Sequence, residues 1–167
     1  GEVRATTLHS MALQTSFVSL PGNFTASATL PVQRSITNCP FLTGVAVQTS
    51  GAAIVALGDS ITDGTRSTID TRSRWPDWLA RRLQTVRDPG TGANSRIGVV
   101  NRGISGNRLL GDSSNPLAGR SILERFERDV LPTAGVKYLV LMVGINDIGN
   151  SSPANPVTAL DLIAGYR

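Results

Sequence analysis

Three polar clusters stand out in this 167-residue chain, because each one follows an apolar run. They are Gly58-Asp59-Ser60, Ser105-Gly106-Asn107 and Gly144-Ile145-Asn146-Asp147. A serine hydroxyl can attack a carbonyl carbon, and backbone N–H groups and an asparagine amide can bind the oxyanion that forms. The pattern predicts an acyl-transfer site with Ser60 as nucleophile and with N–H donors from Ser60, Gly106 and Asn146. Asp59 and Asp147 are predicted to orient the turns by hydrogen bonds to the backbone rather than to carry protons.

Such a site requires elements that bring the three clusters together. The apolar runs at residues 52–57, 97–101 and 138–143 predict buried strands, and helical patterns alternate with them. This order predicts an α/β fold with a doubly wound parallel sheet. Because parallel strands place their carboxyl ends along one edge, we expect the clusters to meet there.

The helical patterns also predict which side chains are buried. Trp75 and Trp78 lie on the apolar stripe of the first helix and are predicted to be core residues. The second helix is predicted to begin at Ser121, with Glu124 completing a capping box. Its charged residues, Arg125 among them, are expected to face mostly water.

Residues 1–50 differ in composition from the rest of the chain. They are rich in Ser, Thr and Ala, and prolines separate short β-prone pieces such as residues 14–20 and 44–48. No helical period is present. We therefore predict two parts, a β-rich segment or the tail of a β module at 1–50 and the α/β part at 51–167.

Composition excludes several classes of function. A hydrophobic content of 40% and a charged content of 17% are typical of a globular protein. The net charge of +4 comes from scattered arginines without a basic run, so no nucleic-acid partner is predicted. No apolar run has the length of a membrane span. Cys39 is the single cysteine, so an internal disulfide is impossible.

The stretches that hold the clusters, GDSITDG, GISGN and GIND, resemble the first three sequence blocks of the GDSL-type, or SGNH, hydrolases, which are esterases and lipases. The resemblance covers about residues 51–167 and extends to RWPDWLARRL and RFERDVL. It implies a flavodoxin-like SGNH hydrolase fold, with Ser60 as nucleophile and with Gly106 and Asn146 in the oxyanion hole. It also implies export to the periplasm or the medium. The implied activity is hydrolysis of small or acetylated carboxylic esters, without metal or cofactor.

The chain departs from the family at the catalytic base, which the family takes from an Asp-x-x-His block near its C-terminus. This sequence has no such block, and its single histidine, His9, lies outside the α/β part without a carboxylate three residues before it. We therefore do not assign His9 as the base. The family's sheet has strand order 2-1-3-4-5, and only the first three strands are present here, which leaves the third as an uncovered edge. We expect a complementary C-terminal polypeptide that carries the missing strands and a His/Asp pair.

Two other interpretations remain open. The loop after the first strand resembles in composition the phosphate-binding loops of flavodoxin-like folds, which favours a ligand-binding protein. Against it, no P-loop lysine and no Gly-x-Gly-x-x-Gly follows the strand. The other interpretation is an inactive fragment or pseudoenzyme that keeps the oxyanion loop and lacks the base. Bound flavin would favour the binding protein, and covalent labelling of Ser60 would oppose it.

Overall fold

The computed structural model describes residues 8–9, 12–40, 44–87, 90 and 96–167. The strands in these ranges are β1 (Leu8–His9), β2 (Ser16–Ser19), β3 (Val32–Ile36), β4 (Cys39–Pro40), β5 (Ala52–Gly58), β6 (Ile97–Gly103) and β7 (Val136–Met142). The helices are α1 (Ser60–Asp63), α2 (Trp75–Thr85), α3 (Ile122–Asp129), α4 (Ile145–Gly149) and α5 (Ala159–Gly165), with a 3-10 turn at Pro116–Ala118. The chain is thus mixed α/β, as the sequence predicts.

The described part of the chain contains a parallel sheet in the order β6-β5-β7. β5 lies in its centre, and the three residues that precede Gly58 have no exposed surface. Gly58 pairs with Gly103 of β6 on one side and with Met142 of β7 on the other. The three strands therefore end at the same level, which confirms the predicted parallel sheet and places the three polar clusters along one edge.

The apolar core holds one of these clusters in place. Its buried members come from β5, from α3 and its C-cap, and from the chain after Gly106: Val55, Leu57, Leu109, Ile122 and Val130. Leu109 follows Gly106 by three residues and has no exposed surface. Burial of one leucine side chain is worth about 1.5–3 kcal/mol, so packing contributes to holding the loop after β6 on the sheet.

β7 is an edge strand within the described part of the chain. Its side chains at Tyr138, Leu139, Val140 and Met142 are 36–53% exposed. The prediction that this apolar strand is buried in the centre of the sheet is therefore wrong: β7 is hydrogen-bonded to β5 alone among the described strands, and its side chains are partly open to solvent. Its position at the edge agrees with the three-strand order that the resemblance implies.

The tryptophan side chains differ from the prediction. Trp75 is half-buried, and its Nε1–H donates to Thr62 Oγ1 at 3.3 Å. Trp78 is 54% exposed, and the Arg81 guanidinium lies over its ring at 4.9 Å from the centroid. The core prediction is wrong for Trp78, since a surface cation–π contact covers its ring instead of the sheet.

The predicted capping box at Ser121 is also wrong. The Ser121 hydroxyl makes no cap hydrogen bond, and its backbone N–H instead donates to Asp112 Oδ1 at 2.7 Å. Glu124 pairs with Arg120 at 3.0 Å. Asp112 acts from outside the helix, so the local spacing of Ser121 and Glu124 did not reveal it.

The chain before β5 contains two antiparallel strand pairs in its described part, β1 with β4 and β2 with β3. Residues 44–48 form no strand, contrary to the prediction. Asp70, in the loop after α1, accepts the Thr15 N–H and hydroxyl at 2.6 Å each and the Gln14 side-chain amide at 2.8 Å. Among the described helices, none has the length and apolarity to cross a membrane.

Candidate active site

Ser60 begins α1 immediately after β5. The preceding residue, Asp59, is 1% exposed and caps the helix, since its Oδ1 accepts the Ile61 N–H at 2.9 Å. Ser60 itself is half-buried. Within the described residues, neither its hydroxyl nor its backbone N–H has a hydrogen-bond partner. Both groups are therefore available to a substrate.

The second cluster is hydrogen-bonded to α1 through Asp63, which is 3% exposed. Asp63 Oδ2 accepts the Ser105 hydroxyl at 2.9 Å and the Ser105 N–H at 3.3 Å. Gly106 follows with φ +80°, a left-handed conformation that disfavours any residue with a Cβ. The backbone N–H of Gly106 has no hydrogen-bond partner among the described residues.

Asn146, in α4, connects the third cluster to the second. Its Nδ2 donates to the backbone carbonyl of Asn107 at 2.9 Å. A side-chain amide carries two N–H donors, so this bond orients the group and leaves one donor without a partner in the described part of the chain. This second donor belongs to the side chain that the sequence predicts in the oxyanion hole.

Asp147 fixes the chain that follows the second cluster. Its side chain is 1% exposed, and its two carboxylate oxygens accept the backbone N–H groups of Leu109 at 2.8 Å and Leu110 at 3.0 Å. Asp147 thus orients a loop by hydrogen bonds to the backbone, as Asp59 does at the start of α1. This is the role that the sequence predicts for both residues.

The surroundings of Asp59 shift the pKa of its carboxyl. Burial raises the pKa of the Asp59 carboxyl above its usual value, the Ile61 N–H opposes this shift, and the negative charge of Asp147 adds to it. A raised pKa in the folded state means that Asp59 stabilises the fold most below its unfolded pKa and that this contribution is lost as the pH rises through its folded pKa. Burial and the charge of Asp147 therefore both disfavour the ionised form of the Asp59 carboxyl.

Sequence reasoning missed Arg125, which the structure buries completely instead of turning it toward water. The helical period contained a signal, since position 125 lies three residues after Ile122 and four before Asp129, on the face that packs inward. His9 lies in β1, and its side chain lies outside the described residues.

Within the described part of the chain, this edge thus combines a hydroxyl and N–H groups from three different clusters that have no hydrogen-bond partner, a set that fits nucleophilic attack on a carbonyl. A comparison with known families agrees. Residues 56–166 match the GDSL-like Lipase/Acylhydrolase family, and this match covers more than half of the chain. The chain therefore belongs to that family, which is a family of hydrolases of the esterase and lipase kind. No curated protein matches the chain.

Proposed function

We propose that this chain carries the nucleophile and the oxyanion hole of a carboxylic ester hydrolase that acts on small or acetylated esters. One contrast supports this proposal most strongly. Asp59, Asp63, Asn107 and Asp147 are buried and hydrogen-bonded, whereas the Ser60 hydroxyl, the Gly106 N–H and one Asn146 N–H have no partner among the described residues. Unsatisfied donors at a half-buried edge are arranged for a ligand oxygen.

In the proposed reaction, Ser60 Oγ attacks the carbonyl carbon of the ester while a base removes its proton. The carbonyl oxygen becomes an oxyanion and accepts hydrogen bonds from the N–H groups of Ser60 and Gly106 and from the Asn146 amide. The alcohol then leaves with a proton from the protonated base. Water, deprotonated by the same base, then attacks the acyl-serine. The bond between the acyl carbon and Ser60 Oγ breaks, the acid leaves, and the base returns its proton to Ser60 Oγ.

We propose that the base is a histidine, oriented by an aspartate, on a complementary polypeptide that packs beside β7. The exposed apolar side chains of β7 support this, because parallel sheets normally have both faces covered and their edges protected. A further parallel strand beside β7 would have its carboxyl end at the same level as those of β5 and β7, where Gly58 pairs with Met142. The histidine would thereby reach the same edge as Ser60.

The test is turnover of p-nitrophenyl acetate by a sample in which every polypeptide has been identified by intact mass. Ser60→Ala should abolish turnover, with Ser114→Ala, an exposed serine, as the matched control that retains it. Full turnover by Ser60→Ala would overturn the nucleophile assignment. Turnover by these 167 residues alone would overturn the complementary-polypeptide proposal and leave the nucleophile standing.

A further inference from the structure

Arg125 is the most extensively bonded buried side chain near the proposed site. A guanidinium has five N–H donors, and each of the five is accounted for. Nε and Nη2 both donate to Asn107 Oδ1, at 3.1 and 3.0 Å, and Nη2 also donates to the Gly58 carbonyl at 3.1 Å. Nη1 donates to the Arg102 carbonyl at 3.0 Å and to Asp129 Oδ2 at 2.9 Å.

These acceptors lie where the proposed site is built. Gly58 is the residue before Asp59 and Ser60, Arg102 is the penultimate residue of β6, and Asn107 directly follows Gly106. One planar group therefore connects the carboxyl ends of β5 and β6 to the second cluster. The forked geometry of Arg suits this arrangement, since a lysine ammonium has no planar pair of donors.

Asn107 links Arg125 to the proposed oxyanion donors by hydrogen bonds. Its Nδ2 donates to the carbonyls of Ala118 and Arg120, both at 2.7 Å, and its Oδ1 takes the two bonds from Arg125. Its side chain is therefore completely bonded and 1% exposed. Its backbone carbonyl accepts the Asn146 amide at 2.9 Å. A shift of Asn107 would move both the adjacent Gly106 N–H and the Asn146 side chain.

The charge of Arg125 is balanced within the fold. Burial lowers the pKa of the Arg125 guanidinium, and the hydrogen bond and charge of Asp129 oppose that shift. For Asp129, burial alone would raise the carboxyl pKa, but the bonds to Arg128 and Arg125 hold it below its usual value. Asp129 therefore remains ionised at neutral pH and partners the buried cation.

We infer that Arg125 is a positioning residue that, through Asn107, sets the Gly106 N–H and the Asn146 amide in the geometry of an oxyanion hole. The inference rests on the proposed function for its catalytic consequence, and on the hydrogen bonds of Arg125 and Asn107 for its structural part. Arg125 does not contact the substrate in this scheme. Oxyanion binding depends on the placement of the N–H donors. Loss of the guanidinium hydrogen bonds of Arg125 should therefore lower kcat rather than weaken substrate binding.

The test compares Arg125→Lys with Arg128→Lys in the enzyme sample that turns over p-nitrophenyl acetate. Arg128 is on the same helix and bonds the same Asp129, at 2.6 Å, but its side chain is 58% exposed and does not contact Asn107. Arg125→Lys should lower kcat by about 10- to 100-fold with KM nearly unchanged, and Arg128→Lys should leave both unchanged. Combined with Asn146→Ala, Arg125→Lys should cause little further loss, because both changes disable the same oxyanion hole.

A second readout needs no activity. Hydrogen exchange of the amides of Asn107, Leu109 and Leu110 should become at least about tenfold faster in Arg125→Lys and not in Arg128→Lys. Exchange that accelerates equally throughout the chain, or effects on kcat that multiply with those of Asn146→Ala, would overturn the inference in favour of general destabilisation. Unchanged exchange and kcat would overturn it as well, while an inactive Ser60→Ala would still support the proposed function.

A third variant covers the case in which Arg125→Lys does not fold. Arg125→Ala leaves a space that a free guanidinium ion fits, and guanidinium at low concentration should raise kcat of the folded fraction. Ammonium at equal ionic strength should not, since it lacks the planar fork. Equal effects of the two cations would contradict the inference.

Discussion

Asp147 and Asp70 form similar connections in two regions with very different surroundings. Each carboxylate accepts N–H groups from a segment far away in sequence, Leu109 and Leu110 for Asp147 and Gln14 and Thr15 for Asp70. Asp147 is 1% exposed, whereas Asp70 is at the surface. Water can replace the bonds of Asp70 if they break, but it cannot reach those of Asp147.

This difference in burial shows in which part of the chain the structure depends on polar groups. At the carboxyl edge of the sheet, buried bonds hold three loops in one arrangement, and a lost partner leaves a donor or acceptor unsatisfied. In the N-terminal segment, exposed bonds attach the residues just before β2 to a surface loop, and each bond competes with solvent. We therefore expect mutations at the edge to have large effects on activity or stability, and mutations at Asp70 to have small ones.

After Ser60→Ala, the largest effect at this edge should come from Asn146→Ala, which removes an oxyanion donor. Loss of one such donor typically lowers kcat by about 10²- to 10³-fold, and KM should change little. Steady-state kinetics with p-nitrophenyl acetate measure both constants, and Asn155→Ala, an exposed asparagine elsewhere, is the control. A rise in KM with unchanged kcat would contradict the oxyanion role.

A moderate effect is expected for the stability of Asp147→Asn. The amide can accept only one of the two backbone N–H groups, and its own NH₂ faces the other. Relief of the repulsion with Asp59 offsets part of the loss, so the free energy of unfolding should fall by about 1–3 kcal/mol. Urea unfolding followed by circular dichroism measures this value, and an unchanged midpoint would show that the loop is held by packing alone.

The smallest effect is expected for Asp70→Asn, which is the matched surface counterpart of Asp147→Asn. The Thr15 hydroxyl and N–H hold the pKa of the Asp70 carboxyl below its ordinary value of 3.8. A carboxyl whose pKa is lowered by folding stabilises the folded state at pH values above its pKa in the unfolded chain. This stabilisation is lost as the pH falls through its pKa in the folded state. The small difference between wild type and variant should therefore be present at neutral pH and disappear in acid. Thermal unfolding across this pH range measures it, and a loss as large as that of Asp147→Asn would contradict the comparison.

The sheet was predictable from sequence because apolar runs that end in glycine clusters are characteristic of buried parallel strands. The ends of the strands were less predictable: the apolar run predicts a strand at 138–143, whereas β7 begins at Val136. The burial of Arg125 was not predictable from composition, since it depends on acceptors that three distant segments bring together only in the fold. The exposure of Trp78 depends in the same way on where α2 lies against β6.

For the candidate site, the residue types and their order predicted a shared edge, and the strand register confirms that edge. The bonds that build it were less accessible to sequence reasoning, because Asp63 and Asn107 act on residues of other elements. The catalytic roles of Ser60, Gly106 and Asn146 stay predictions. So do the boundary near residue 50, export of the protein and the complementary polypeptide.

The most direct test of Ser60 as nucleophile is peptide mapping by mass spectrometry after reaction of the active sample with a fluorophosphonate. This reagent forms a covalent bond with an activated serine and mimics the tetrahedral intermediate in the oxyanion hole. We predict one adduct, on the peptide that contains Ser60, and none in Ser60→Ala. An adduct on a different serine that persists in Ser60→Ala would contradict the assignment.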